Sequence, residues 1–438
     1  MIKKIVITPL QKFIKTESLS GILLFTATII ALIWANSSFN SIYESLWQYK
    51  VGFSFQDFEL KKPLILWVND GLMAIFFFLI GLELKREFLI GELDTLKKAS
   101  FPFFAALGGV IVPIALFLIL NKNPETTKGW GIPMATDIAF ALAILKLLGN
   151  RIPMSIKVFL TAFAIIDDIG AVLVIALFYS SAINWLLVLY ALVLFLIIAF
   201  LSYKKIYSNS MFLIIGIIIW FLFLKSGIHP TIAGVLMAFT IPIKQKIDIN
   251  SFTEKTFQII DSLKRDKKED GKLLSKSQLK KIALLKSSSG KVKSPLQHLE
   301  IKLHNWVAFL IMPIFALANA GVIINTDMQI EYAMIANIGI GLFVGKFIGI
   351  TSFSFLGVKL GITALPNGVN YTQIIGVAVL AGVGFTMSIF IANLAFSGSQ
   401  IFIDSAKIGI LIGSFVSGLI GYLILRISSL PKTKVIDG

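Results

Sequence analysis

The sequence has 438 residues, 56% of them hydrophobic and only 15% charged, with a net charge of +16 and a mean hydropathy of +0.86. Soluble domains carry about 25% charged residues, so this composition excludes an ordinary soluble fold. The absence of cysteine excludes disulfides, thiol catalysis and cysteine-held metals. The positive charge is concentrated rather than spread: residues 244–297 hold 14 Lys/Arg and 6 Asp/Glu, a net +8, and most of the rest lies in short loops. No basic groove with interleaved aromatic residues appears, which argues against nucleic-acid binding.

Apolar length predicts twelve helical spans, near 19–35, 64–83, 101–120, 131–148, 154–179, 183–202, 211–225, 227–243, 303–324, 332–351, 370–395 and 405–427. Crossing a bilayer takes about 20 apolar residues. The first span has no small-residue cleavage site after its apolar core, so it reads as a retained helix rather than a signal peptide. Eight spans fall within 1–243 and four within 298–438, separated by the basic insertion 244–297.

Loop charge predicts orientation. Lys3, Lys4, Lys12 and Lys15 precede the first span, and alternate loops carry Lys85/Arg86/Lys97/Lys98, Arg151/Lys157, Lys204/Lys205, the insertion, Lys359 and Arg426/Lys432/Lys434. The intervening loops are poorer in Lys and Arg; 36–63 is the least tidy, with Lys50, Lys61 and Lys62 against Glu44, Asp57 and Glu59. Both termini are therefore expected in the cytoplasm. Residues 49–60 (YKVGFSFQDFEL) alternate apolar and polar like a small hairpin. The insertion has Phe257, Ile260 and Leu263 at helical spacing, as in a partly helical segment that can touch anionic lipid headgroups.

Charges inside the spans carry the chemistry. Asp70, Asp137, Asp167, Asp168 and Lys346 each lie within an apolar run. One such charge at a helix centre costs about 2.5–3.5 kcal/mol, so an unpaired set would cost on the order of 10 kcal/mol. The residues must face a hydrated cavity or each other. A purely structural ion pair could account for one aspartate with Lys346 but leaves the other carboxylates unexplained. Asp167 and Asp168 are adjacent, so on a helix their side chains diverge by about 100°. Two neighbouring carboxylates cannot both ionise cheaply in a low dielectric. Such a site can hold a proton or a small hard cation, and competition between the two is the basis of antiport.

Two spans are interrupted. In 129–140 (GWGIPMATDIAF), Gly131 and Pro133 precede Thr136 and Asp137; in 381–388 (AGVGFTMS), Gly382 and Gly384 break a second span. Proline removes a donor and disfavours helix at the residue before it. Paired broken spans in corresponding halves point to a transporter binding site. Asp137 could offset the positive ends of the half-helices and Lys346 the negative ends.

These residues carry a resemblance. Stretches 69–88 (NDGLMAIFFFLIGLELKREF), 131–142 (GIPMATDIAFAL), 163–179 (FAIIDDIGAVLVIALFY), 226–235 (SGIHPTIAGV), 312–322 (MPIFALANAGV) and 382–396 (GVGFTMSIFIANLAF) resemble the NhaA-type sodium/proton antiporters, over nearly the whole chain apart from 244–297. The resemblance implies an all-α polytopic membrane protein of twelve helices with inverted repeats and two crossed broken helices. It implies electrogenic, pH-regulated exchange of sodium or lithium for protons by alternating access in a bacterial inner membrane, with no cofactor. It makes Asp167 and Asp168 the cation- and proton-binding pair, Thr136 and Asp137 the broken-helix position, and Lys346 their buried lysine partner. Glu83, Lys85, Glu87, His229 and Glu300 match positions tied to pH response, and Asp70 is placed on the outer pathway or in packing. Loop 49–60 resembles a dimer-forming hairpin, which implies a homodimer. Two departures bear on the pH set-point: the insertion enters just before Glu300, and Ile301 stands where a family histidine often lies, although His304 remains.

Two other classes compete. An intramembrane aspartyl protease needs two facing aspartates and has no use for Lys346 or for broken helices; its Tyr-Asp and Gly-x-Gly-Asp motifs are missing around these aspartates. A symporter or channel differs in the sign of coupling, which the direction of proton flux on adding sodium would decide.

Overall fold

The computed structural model describes residues 9–428 except 56–57, 92, 94, 181, 205, 246–247, 266–273, 293 and 324–328. Helix α1 (Pro9–Ala35) is followed by α2 (Asn40–Gln48), bent 113° from it. Tyr43 and Trp47 form the buried face of α2, and the Tyr43 hydroxyl donates to the Leu317 carbonyl at 2.8 Å. Strands β1 (Lys50–Phe55) and β2 (Phe58–Pro63) pair antiparallel from Lys50↔Pro63 to Phe55↔Phe58. The hairpin expected over 49–60 thus forms, with its second strand reaching Pro63.

Next come α3 (Leu64–Ile90), α4 (Leu96–Leu120), a tight 3-10 segment Pro124–Met134 leading into α5 (Ile138–Leu147), α6 (Met154–Phe178), α7 (Trp185–Tyr203), α8 (Asn209–Ser226) and α9 (Thr231–Thr240). The insertion holds α10 (Ile249–Arg265) and α11 (Lys276–Val292). The chain closes with α12 (Pro295–Asn319), α13 (Tyr332–Lys359), α14 (Tyr371–Leu380), α15 (Phe385–Ala395) and α16 (Gln400–Ser428).

Among the described residues, eight continuous helices are long and apolar enough to cross a membrane, and the three bent pairs bring the total to as many as eleven. The twelfth apolar segment is α9, whose ten residues rise only about 15 Å and do not cross alone. Proline at 230 and 242 bounds it on both sides. The Pro124–Met134 segment and α5 meet at 48°, and α14 and α15 at 43°. Each broken span is the middle member of a run of three, α4 to α6 and α13 to α16. A broken span thus holds the same place in both runs, the arrangement expected of an inverted repeat.

Leucines such as Leu186, Leu189 and Leu196 of α7 and Leu213 of α8 are exposed, as faces turned to hydrocarbon must be. The interior is sealed where the breaks cross, by fully buried Ile132, Met134, Leu342 and Phe390. Helices α4 and α13 touch backbone to backbone: a Cβ on Gly108 would strike the Gly349 carbonyl oxygen, and one on Gly349 would strike that of Gly108. Small residues allow such approach in membranes. This contact fixes α13 one turn from Lys346.

Among the described residues, three wide π-helical turns interrupt otherwise regular spans: Trp67–Leu72 in α3, Val307–Ile311 in α12 and Gly341–Gly345 in α13. The first contains Asp70 and the third ends next to Lys346. Such bulges concentrate at functional sites.

Candidate functional site

The two chain breaks face each other and exchange hydrogen bonds. The Asp137 N–H donates to the Val383 carbonyl at 2.7 Å, the Thr136 hydroxyl to the Ala381 carbonyl at 3.0 Å, and the Ser388 hydroxyl to the Ile132 carbonyl at 2.9 Å. Carbonyls freed by the interruptions are thus met across the crossing, as hydrocarbon surroundings require. Gly384 belongs here because any Cβ would press on the Ala135 carbonyl oxygen and the Ser388 hydroxyl.

Asp137 joins the halves. One carboxylate oxygen accepts the Phe140 N–H at 3.1 Å, capping α5. The other accepts the Thr386 N–H at 3.1 Å and the Thr386 hydroxyl, capping α15. Each helix start carries roughly half a positive charge, so two of them balance about one carboxylate. Asp137 therefore stands at the positive ends, as expected. Of the two places expected for Lys346, the negative ends and the side of the aspartate pair, it takes the second and bonds to Asp167, and the carbonyls at the crossing are met by hydroxyls and by backbone N–H groups.

The Lys346 ammonium reaches both oxygens of Asp167, at 3.0 and 2.9 Å, with side-chain exposures of 0% and 1%. It also lies 5.6 Å from the centre of the Phe163 ring. Thr136 stands beside Asp167. The ion pair neutralises Asp167 and leaves its neighbour. Asp168 is buried and lines a cavity of about 50 Å³ shared with Asp137, Thr136, Thr386, Glu83 and Ser20. At about 10–15 Å³ per water centre, that space admits a few waters or a partly hydrated small cation. Sequence adjacency gave no hint of this division, which comes from where α13 places its lysine.

Glu83 leads from the cavity to a second cluster. Glu83 and Glu87 of α3 meet Glu300 and His304 of α12 around Arg86: Arg86 lies 2.7 Å from Glu87 and 2.9 Å from Glu300, and His304 Nδ1 is 3.6 Å from Glu83. Three of the residues matched to pH response thus come together. Lys85 turns away and donates to the Phe239 and Ile241 carbonyls at 2.6 and 2.7 Å, at the end of α9. His229 is elsewhere. It lies 3.8 Å from Asp70, which Lys62 holds at 3.0 Å, on the wall of a cavity of about 820 Å³ on the hairpin side.

That larger cavity ends against Phe390. Phe390 packs on Phe77 and Phe315, with ring centres 5.7 and 6.2 Å apart. Beside these rings Asn319, fully buried, exchanges hydrogen bonds with Asn69 at 2.9 and 3.2 Å and accepts from Asn393 at 2.7 Å. The sequence reading missed Thr386, Arg86 and these asparagines as site residues. Thr386 and the asparagines are uncharged polar residues inside apolar runs, and Arg86 reads as a loop charge.

Membrane spans, crossed breaks and a buried Asp–Lys pair coincide with a family match. A family model described as Na+/H+ antiporter 1 matches residues 11–425. The chain belongs to that family. Among its relatives, the Na(+)/H(+) antiporter NhaA of Oleidesulfovibrio alaskensis is 46% identical over 425 residues, covering 96% of this chain and 94% of the relative. That of Bacteroides fragilis is 42% identical over 437 residues, covering 98% and 100%. That of Wolinella succinogenes is 43% identical over 427 residues, covering 97% and 94%.

Proposed function

We propose that this multi-pass sodium/proton antiporter takes its sodium or lithium ion at Asp168 and uses the same carboxylate, with Asp167, to carry protons. The observation that carries this reading is the division of the pair: Lys346 occupies both oxygens of Asp167, while Asp168 faces the cavity. A cation entering past Glu83 meets Asp168 first. Full oxygen coordination then needs Asp167 as well, which requires Lys346 to release it. Sodium and a proton cannot occupy the same carboxylate oxygens, so binding one expels the other. Moving more than one proton per cation makes the exchange electrogenic.

The insertion side is the cytoplasm, because the Lys- and Arg-rich loops lie there, and the host membrane is the bacterial inner membrane. Alternating access then means that the cavity beside Asp168 opens to the cytoplasm while Phe390, Phe77 and Phe315 close the path to the outer cavity holding Asp70 and His229. Asp137 and Thr136 hold the crossing. The cluster of Glu83, Glu87, Arg86, Glu300 and His304 sets pH response at the inner mouth, and His229 acts separately on the outer side. The β1–β2 hairpin, projecting beside α2, pairs two copies into a homodimer.

Proteoliposomes test the reading. Sodium added outside should collapse an imposed pH gradient with the native protein and not with Asp168→Asn. Full activity in that variant would overturn the assignment of the site. Proton movement in the same direction as sodium would overturn exchange itself.

A further inference from the structure

The insertion between α9 and α12 carries two helices, α10 and α11, and the fold ties its two ends together. Leu296, fully buried at the start of α12, donates its N–H to the Pro242 carbonyl just after α9 at 3.2 Å. The two ends of the insertion are thereby tied together at the ends of two apolar helices. Only residues 293–294 separate α11 from α12, so the pair cannot swing far from the headgroups.

The helices pack on each other in a defined way. Residues 252, 256, 259 and 263 of α10 are half-buried, and so are 278, 281, 285 and 288 of α11; both sets have helical spacing. Lys281, near the start of α11, donates to the Ser262 carbonyl, near the end of α10, at 3.0 Å, as in an antiparallel hairpin. One residue further along each row gives Thr253, Phe257, Ile260 and Lys264 on α10, and Leu279, Ile282, Lys286 and Ser289 on α11, all exposed. In an antiparallel pair, the same rotation away from the contact turns both helices to the same side. The hairpin therefore has one face with Phe257 (68% exposed), Ile260 (40%), Leu279 (53%) and Ile282 (43%) beside Lys264 and Lys286. Glu254 and Asp261 lie on the back of α10, away from α11, and Lys255 points to the side opposite this face.

We propose that this face docks on anionic lipid headgroups of the adjoining leaflet. Four apolar side chains flanked by lysine have the composition of a helix that lies in the interface. The segment's net +8 complements a surface of negative headgroups, whose attraction acts within a Debye length of about 10 Å. The tether at Pro242 and Leu296 places the hairpin beside the headgroups. Glu300 follows Leu296 by one turn, so lipid charge is felt close to the mouth cluster.

The chain's lack of cysteine makes a direct test possible. Phe257→Cys in the full-length protein is labelled with an environment-sensitive fluorophore and reconstituted into vesicles of phosphatidylcholine alone or mixed with phosphatidylglycerol. Sodium-dependent exchange by the labelled protein confirms that it is folded. In the mixed vesicles the emission should shift to shorter wavelength and the label should resist an aqueous quencher. Both effects should be lost in neutral vesicles, in roughly 1 M salt where the screening length falls to about 3 Å, and in a Lys264→Gln, Lys286→Gln variant. A label at Lys255→Cys, on the opposite side of α10, should stay in water throughout. A Phe257 label that is wet in both lipids would overturn the proposal. Equal shielding in neutral vesicles would also overturn it, since the face would then be covered by another part of the protein or by a second copy.

Discussion

Both oxygens of Asp167 are taken by one ammonium group, Lys346 Nζ, inside a helix bundle where neither side chain meets solvent. Breaking a buried pair by removing one member costs about 3–5 kcal/mol, because the other charge is left alone. Replacing both members removes that penalty. Lys346→Met should therefore lower thermal stability in detergent markedly, and adding Asp167→Asn should restore much of it. Additive losses in the double variant would mean that the two side chains are not energetically coupled.

The proposed competition between sodium and a proton at Asp168 has a definite sign in pH. As pH falls, the carboxylate fills with protons and the apparent KM for sodium should rise, by up to about tenfold per pH unit for a single competing proton. At higher pH the KM should level off. A KM that stays flat while the maximal rate alone varies would place the competing proton elsewhere.

Asp137 answers three donors on two half-helices. Asp137→Ala should orphan the Phe140 and Thr386 N–H groups, at about 1–3 kcal/mol for each buried donor. Thr386→Ala should cost about 0.5–1.5 kcal/mol, the usual net worth of one hydrogen bond. Melting temperatures of the purified variants should rank native, Thr386→Ala, Asp137→Ala from highest to lowest.

Gly349 touches Gly108 backbone to backbone, one turn past Lys346. Gly349→Val has no space to occupy, and overpacking costs about 1–3 kcal/mol or more. Exchange should fall sharply because α13 shifts and takes the ammonium away from Asp167. Gly361→Ala, in the loop after the same helix and with nothing within 4 Å of a Cβ, should leave transport intact despite its strained φ of 72°.

Much of the architecture was legible in the chain because the membrane imposes a simple rule. A span needs apolar length, and all twelve expected segments are present, α9 as a shortened one. The breaks at Pro133 and at Gly382–Gly384 were visible because proline and clustered glycine have backbone consequences that do not depend on context. What pairs with what was less visible. The chain left Lys346 between the negative helix ends and the aspartate pair, because the wide turn at 341–345 just before it alters the phase on which its direction depends. Asp70 has a similar turn around it. The grouping of Glu83 with Glu300 depends on α3 and α12 meeting across more than 200 residues of chain, and no local pattern encodes that. His229 shows the converse: family position linked it to these carboxylates, and the fold sets it in a different cavity.

The two oxygens of Asp137 belong, in effect, to different machines. One anchors the first repeat and the other anchors the second, and the same group forms part of the wall of the cavity beside Asp168. A charge in that cavity would act on a carboxylate to which both halves of the inverted repeat are bonded.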